Sequence, residues 1–469
     1  MKSGRSLGLV GAVALSLALV SPSMAVSLNP QAMATQVGSA VPTMFLAALV
    51  PVSVIALAFA VLASKFGSRG SIFGLVTASI GPRAGTAAGL LLMLTYLLVV
   101  PIYIAGFGIG IDALGTQFGW TMSGRPLMLL CGVLAVAVSF VLAQRPLGRV
   151  GHLLLALEGV TIAVVLFVCG VTMFTLTTSG GPEGQRIDFA ALAPSGLSAS
   201  AIGLGLTFAV LSVAGFEGAA ATAEATRNPL RNVPRAIVFA AIFSTLFYLV
   251  VSSVGVWAFG TGPEQVTAFT QSPSLPAAIA DDYVADGVGT FLVIGLLASS
   301  FAGMIGGIVA CARILATFSS AGVLPARLSK VAGDGAPFRA STVVLVFGLI
   351  ITAVVNLIFP SDEFGPFNFL GGIAGTLFML AYGSVCAGAT VVLWRARRHG
   401  WAALTAAGVL VVVGVIAMTT FPLPTGVSRF VPVVALVVLA LSVVVGLVKG
   451  RHAGEVLAEE TAEDGSVGL

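Results

Sequence analysis

The segment from Ser212 to Ala236 reads SVAGFEGAAATAEATRNPLRNVPRA, and it places a helix break and a carboxylate inside an apolar span. Gly215 supplies the break, Glu217 supplies the charge, and a basic loop follows them. Unpaired backbone at membrane depth is tolerated only where protein buries it or a watery cavity lines it. An ionisable side chain at that depth indicates a functional site. The segment therefore predicts a site for solutes in the middle of a membrane.

The composition extends this interpretation to the whole chain. Apolar residues make up 58% of the 469 residues and charged residues only 9%, a balance that is not found in water-soluble domains. The apolar runs are about 18 to 30 residues long, enough to cross a hydrocarbon core of about 30 Å. The sequence predicts an all-α integral membrane protein with a single transmembrane domain over residues 1–469.

Twelve transmembrane helices are predicted. They cover about 7–31, 42–64, 84–112, 126–143, 152–177, 198–224, 235–259, 287–318, 340–359, 368–394, 401–419 and 430–448. Lys and Arg are retained on the cytoplasmic side of short loops. With the N-terminus inside, only Arg125, Arg186 and Arg429 of the 22 basic residues fall outside. This distribution favours a multi-pass protein of the cytoplasmic membrane with both termini in the cytoplasm, and no basic stripe with interleaved aromatics predicts a nucleic-acid partner.

The first span has two interpretations. A basic start, an apolar run and the small residues from Ser23 to Ala25 also fit a secretory signal with its cleavage site. Ser21-Pro22-Ser23 in the middle of the run, with further apolar residues behind it, favours a retained span. Proline removes an amide donor and clashes with the preceding turn, so a break is expected at Pro22 and a second possible stop at Asn29-Pro30.

The cysteines and histidines show no spacing that is typical of a metal site. They are Cys131, Cys169, Cys311 and Cys386 within predicted spans, and His152, His399 and His452 near the membrane faces. No phosphate-binding glycine loop and no Ser/His/Asp set occurs in the sequence. We therefore expect neither a cofactor nor catalysis.

The breaks in spans one and six lie five spans apart, which predicts two five-helix halves of opposite orientation. The first repeat would cover about 7–177 and the second about 198–394, each opening with a discontinuous helix. Helices 11 and 12 at about 401–448 and a short, polar, disordered tail at 451–469 would complete the chain. The two halves share no obvious sequence identity, so this repeat rests on the positions of the breaks.

Three blocks follow one another along the chain. The first, from Gly67 to Gly85, combines a small-residue turn, an aromatic near-interfacial helix and a Gly-Pro-Arg entry to span three. The second joins Gly215-Phe216-Glu217 to Glu224, Asn228-Pro229 and Val233-Pro234-Arg235-Ala236; the third is Arg313 with Gly322-Val323-Leu324-Pro325. In this order they resemble the amino acid-polyamine-organocation (APC) superfamily of permeases over about the first ten spans. Ala225 and Ser21-Pro22-Ser23 depart from the pattern, where many members have a second acid and a Gly-x-Gly break.

The resemblance implies the leucine-transporter-type fold, with spans one and six unwound around a substrate. The helix after the first break would present amides to a carboxylate, and the half-helix ending near Val213 would present carbonyls to an ammonium group. The candidate substrate-binding residues are Ser21, Pro22, Ser23, Met24, Ser212, Val213, Ala214, Gly215 and Phe216. For the serines the alternative is bonding to the preceding turn, and for Phe216, which resembles the family's aromatic gate, it is packing.

Two carboxylates are placed in the membrane. Glu217 fits either an N-terminal helix cap or a proton or amine site. Glu158 in span five fits either a proton carrier near the first break or a neutral acid bonded to a backbone carbonyl. Ser299 and Ser300 in span eight suit sodium binding or simple packing.

At the cytoplasmic end, Glu224 is expected to pair with Arg231 or Arg235 as a gate, with lipid headgroup contact as the alternative for the arginines. The predicted function is secondary active transport of an amino acid or related amine by alternating access, with proton symport favoured. Exchange, sodium coupling, a passive channel and a non-transporting sensor stay open, as does assembly into a homo-oligomer.

Overall fold

A computed structural model describes residues 8–66, 71–120, 124–145, 148–221, 226–285, 287–329 and 337–463. The α-helices of the first half are α1 (Leu9–Val20), α2 (Pro22–Val37), α3 (Val41–Phe66), α4 (Ile72–Ser79), α5 (Pro82–Gln117), α6 (Arg125–Ala143) and α7 (Gly148–Thr178). Those that follow are α8 (Ala199–Val213), α9 (Gly218–Ala221), α10 (Pro229–Phe259), α11 (Pro263–Gln271), α12 (Leu275–Tyr283), α13 (Val288–Ser320), α14 (Phe338–Ile358), α15 (Gly365–Arg395), α16 (His399–Thr420) and α17 (Phe430–Glu463).

Within these ranges, 11 helical stretches are long and apolar enough to cross a membrane. The first of them, Leu9–Phe66, contains 58 residues and combines α1, α2 and α3. A single crossing needs about 20 residues, so this stretch is long enough for two. The chain is thus an all-helical, multi-pass membrane protein.

The first span breaks at Ser21, as the sequence predicted. Ser21 adopts a left-handed conformation with φ 51° and ψ 61° and separates α1 from α2. Pro22 is the first residue of α2, a position where the missing amide donor costs no helical hydrogen bond. The chain therefore leaves one helix and starts the next within a single residue.

The second break lies between α8 and α9. Turns connect Val213 to Gly218, and Gly215 adopts φ 107°, which side chains other than glycine rarely tolerate. Residues 222–225, which include Glu224, lie outside the described residues.

The breaks lie in a core that the longest helices surround. α5 packs against α13, α15 and α17, and α3 packs along α10. Large apolar side chains are exposed on the outer faces, for example Phe174, Leu357 and Leu410. An apolar exterior of this kind suits lipid and not water.

Two expected boundaries were wrong. α2 does not stop at Asn29-Pro30 or at residue 31 but continues to Val37, because the residues around Pro30 are buried against neighbouring helices that hold the backbone in place. α17 extends to Glu463, so residues 451–463 of the expected disordered tail are helical. Close approach of Gly454 to Pro82 and of His452 to Gly322 shows that the start of this extension packs on the transmembrane bundle.

Candidate functional site

The two helix breaks lie in direct contact. A Cβ atom on Gly215 would lie 2.8 Å from the carbonyl carbon and oxygen of Leu19 and 3.0 Å from the amide nitrogen of Val20. A Cβ atom on Gly218 would lie 2.3 Å from Cδ1 of Leu19. Only glycine allows the backbones to approach this closely, so the sequence places both breaks at one point in the core.

Ser21 connects the first break to α5. The Tyr103 hydroxyl donates to Oγ of Ser21 at 3.1 Å, and Oγ of Ser21 donates to the carbonyl of Ala18 at 3.3 Å. The bond to Ala18 is the local back-bonding that was the structural alternative for this serine. The contact with Tyr103 adds a tertiary partner that local bonding does not require.

The N-terminus of α2 is occupied by two side chains from distant helices. The Ser23 amide donates to Oε1 of Glu158 at 2.7 Å, and the Met24 amide donates to Oγ of Ser299 at 3.2 Å. The amides that the sequence predicted to face a substrate carboxylate therefore already have acceptors, since buried amides without a helical partner need one. Glu158 does lie at the first break. It accepts from the Ser23 amide, whereas the neutral-acid alternative had it donating to a backbone carbonyl.

The hydroxyl of Ser23 and the phenol of Tyr248 lie close to this carboxylate. Both groups are buried. The Ser23 hydroxyl interacts with the Glu158 carboxylate itself, whereas the Tyr248 phenol finds no hydrogen-bond partner within the described part of the chain. Tyr248 is near enough to Glu158 for an electrostatic interaction. Buried polar groups normally have partners, so the phenol of Tyr248 marks the surroundings of Glu158 as a place where a further polar atom can bind.

The other half-helix, α8, is tied to α2. The Asn29 side-chain amide donates to Oγ of Ser212 at 2.8 Å, and Ser212 donates to the carbonyl of Phe208 at 2.8 Å. The Val213 carbonyl accepts from the Phe216 amide at 3.3 Å. Ser212 and Val213 thus lie at the second break as predicted, and Asn29, which the sequence suggested only as a helix stop, joins the two half-helices.

Glu217 is surrounded by three donors. Its Oε2 accepts from the Gly215 amide at 3.0 Å and from the Tyr382 hydroxyl at 2.9 Å, and its Oε1 accepts from the Tyr96 hydroxyl at 3.4 Å. The side chain therefore caps an amide inside the break and not the first turn of α9, where the Ala219 amide donates to Oγ of Ser16 at 3.0 Å.

Phe216 is fully buried in an aromatic cluster. Its ring centroid lies 5.5 Å from that of Phe59 and 5.4 Å from that of Tyr382. Ring pairs at this distance stabilise a packed arrangement, which is the alternative that the sequence left open. A gating movement of Phe216 stays a prediction.

Glu217 and the first break contact α5 at different positions along this helix. Glu217 contacts Tyr96 and Ser21 contacts Tyr103, and both tyrosines lie on α5. Seven residues of helix correspond to about 10 Å. The Glu217 layer, formed by Glu217 with Tyr96 and Tyr382, contacts α5 nearer to its N-terminal end than Ser21 does. This end of α5 is cytoplasmic in the predicted orientation.

The predicted cytoplasmic gate is only partly described. Arg231 and Arg235 are exposed near the start of α10, and Glu224 lies outside the described residues. Arg235 borders an open apolar groove of about 600 Å³, which Ala60, Phe239 and Phe243 also line. An arginine beside an apolar groove suits the lipid-headgroup alternative as well as a gate.

Sequence reasoning missed the tyrosines. The chain has only five, and four of them lie within the apolar spans: Tyr96, Tyr103, Tyr248 and Tyr382. All four lie beside Glu158, Glu217 or Ser21. A phenol in a span needs a polar partner, so the rarity of this residue type in the spans was a usable signal.

Comparisons with known proteins place the sequence in a family. The family model described as "Amino acid permease" matches residues 7–447. The branched-chain amino acid permease BcaP of Lactococcus lactis subsp. cremoris (strain MG1363) is 24% identical over 374 residues, which cover 76% of this chain and 75% of that protein. The branched-chain amino acid permease BcaP of Bacillus subtilis (strain 168) is 23% identical over 344 residues, which cover 68% of this chain and 67% of that protein.

Proposed function

Because the chain belongs to the amino acid permease family, we propose that it carries a branched-chain amino acid across the cytoplasmic membrane by proton symport. Membership confirms the resemblance found in the three sequence blocks, and amino acid transport across a membrane follows from it. The single observation that carries the mechanism is the contact between two broken helices, each of which donates an amide to its own buried carboxylate. Glu158 accepts from the first break and Glu217 from the second.

A zwitterion fits between the two breaks. The N-terminus of α2 carries a partial positive charge that suits the substrate carboxylate, and the C-terminus of α8 suits the ammonium group. Besides Glu158, Glu217 and Asn29, the breaks have apolar neighbours, for example Val20, Met24 and Val213. Such surroundings favour an apolar side chain, and the names of the two relatives point to branched-chain substrates.

The architecture we propose has twelve crossings, with α1 and α2 forming the first and α8 and α9 the sixth. The two five-helix halves have inverted orientations, and both termini lie in the cytoplasm, which the distribution of Lys and Arg supports. Alternating access would expose the contact between the breaks to each side in turn. The Glu217 layer and the pair of Glu224 with Arg231 or Arg235 would close the cytoplasmic side.

Proton coupling is assigned to Glu158, with Glu217 as a second candidate. The Oγ atom of Ser299 is engaged by the Met24 amide, and Ser300 is buried beside it. Sodium coupling through these serines is the second candidate mechanism, because hydroxyl oxygens are suitable ligands for a hard cation.

The test is uptake of labelled leucine into proteoliposomes under an inward proton gradient or an inward sodium gradient. We expect accumulation with the proton gradient alone. Glu158→Gln should abolish accumulation but retain exchange of leucine across the membrane, whereas the exposed control Glu264→Gln should behave as the wild type. Accumulation driven only by sodium, or unaffected by either gradient, would rule out proton symport, and flux that does not saturate would indicate a channel.

A further inference from the structure

The carboxylate of Glu158 accepts a hydrogen bond from the Ser23 amide, the donor that the proposed site offers to a substrate carboxylate. Pro22 has no amide hydrogen, and Ser299 accepts from the Met24 amide, so the Ser23 amide is the donor of the first turn of α2 that faces a carboxylate. Glu158 reaches this amide from α7, at a separation of 135 residues along the chain. An internal carboxylate thus already occupies the positive end of α2.

The geometry points to Glu158 as an internal competitor of the substrate carboxylate, so that the amino acid binds only when Glu158 carries a proton. This inference rests on the proposed function and specifies how proton and substrate are coupled. One amide cannot serve two carboxylates at full strength, and two negative charges that share a buried site exclude each other. Protonation removes the charge from Glu158 and releases Ser23 for the incoming carboxylate.

The groups that face Glu158 offer no other counter-charge. They are the phenols of Tyr103 on α5 and Tyr248 on α10, the hydroxyl of Ser299 on α13 and the serines at the break. Phenols and hydroxyls are neutral near pH 7, and no cation interacts with Glu158 within the described residues. A second carboxylate in this site therefore has to replace the charge of Glu158 and cannot simply add to it.

Two buried donors are available to the replacement. The Ser23 hydroxyl interacts with Glu158 in this structure and would be released together with the amide. The phenol of Tyr248 has no hydrogen-bond partner among the described residues and is near enough to Glu158 for an electrostatic interaction. A carboxylate accepts several hydrogen bonds through its two oxygens. Once Glu158 is protonated, these donors can serve the second oxygen of a bound amino acid.

Equilibrium binding to the purified protein tests the competition without requiring transport. The probes are labelled leucine and labelled leucinol, the amino alcohol that lacks the carboxylate. For the wild type, the apparent Kd of leucine should rise by up to about tenfold per pH unit once Glu158 loses its proton, because only the protonated fraction binds. The apparent Kd of leucinol should not change over the same pH range.

Glu158→Gln keeps the shape of the side chain and removes the charge. We expect it to bind leucine with an affinity that no longer depends on pH, while the exposed carboxylate variant Glu264→Gln keeps the wild-type dependence. The inference would be overturned, and the proposed function left intact, if the leucine affinity of the wild type does not depend on pH. The same holds if the leucine Kd of Glu158→Gln changes with pH as steeply as that of the wild type. Failure of the wild type to bind leucine at any pH would overturn the proposed substrate as well. If Glu158→Gln does not fold, the contrast between leucine and leucinol in the wild type decides the question.

Discussion

Substitution of Gly215 by alanine tests whether the two breaks touch as the structure has them. The new Cβ atom would lie 2.8 Å from the backbone carbon and oxygen of Leu19, which no side-chain rotation can relieve. The backbone at φ 107° adds strain of about 1–3 kcal/mol. Crowding of a packed core adds about 1–3 kcal/mol, so the total destabilisation is about 2–6 kcal/mol.

The assay combines thermal unfolding of the purified protein with leucine uptake. Gly215→Ala should unfold at a lower temperature than the wild type and lose uptake, because separating the breaks distorts both ends of the proposed site. Gly414→Ala on α16 is the matched control, since its Cβ atom meets nothing within 4 Å. Alanine is favoured over glycine inside a helix, so the control should be as stable as the wild type or more stable.

Gly218 separates steric crowding from backbone strain. Its Cβ atom would meet side-chain atoms of Leu19, and the one clash is with Cδ1, the flexible end of that side chain. Shortening that side chain with Leu19→Ala should therefore rescue Gly218→Ala but not Gly215→Ala, whose obstacle is the Leu19 backbone. Wild-type stability and uptake in Gly215→Ala, or rescue of both variants by Leu19→Ala, would refute the proposed contact between the breaks.

Two further predictions concern buried hydrogen bonds. Tyr382→Phe removes the shorter of the two phenol bonds to Glu217 and should lower stability by about 1–3 kcal/mol. In thermal unfolding, this loss should exceed that of Tyr96→Phe. The reverse order would contradict the described geometry. Ser212→Ala leaves the Asn29 amide buried without its acceptor, so the double variant with Asn29→Leu should unfold at a higher temperature than Ser212→Ala alone. Additive losses in the double variant would show that this bond does not link α2 to α8.

The breaks could be predicted from sequence because their causes are local. Pro22 lacks an amide donor, and Gly215 tolerates a backbone that other residues avoid. The same rule failed at Pro30, where one lost donor does not outweigh the packing of α2 against α8 and α13. A local signal therefore locates a weak point in a helix, but tertiary contacts decide whether the helix ends there.

The partners of the carboxylates could not be predicted in this way. Glu158 was assigned to the first break because of the family resemblance, yet nothing local indicates that its carboxylate accepts from Ser23, 135 residues away. The three donors around Glu217 come from its own break, from α5 and from α15. Such pairings depend on how the helices pack, and the sequence alone gave only the residue types that need partners.

In both breaks, an amide that has no partner within its helix donates to a carboxylate. Ser23 in the first break donates to Glu158, and Gly215 in the second donates to Glu217. A carboxylate is a strong acceptor for an amide at a helix end, and it is the one such acceptor that a proton can neutralise. In the mechanism we propose, each break would thus combine a backbone donor for the substrate with an acid that can take up a proton. Tyr96 and Tyr103, which contact Glu217 and Ser21, lie about 10 Å apart along α5. The acid at the carboxylate end of the site and the acid on its cytoplasmic side would therefore, in this mechanism, take up protons in separate steps.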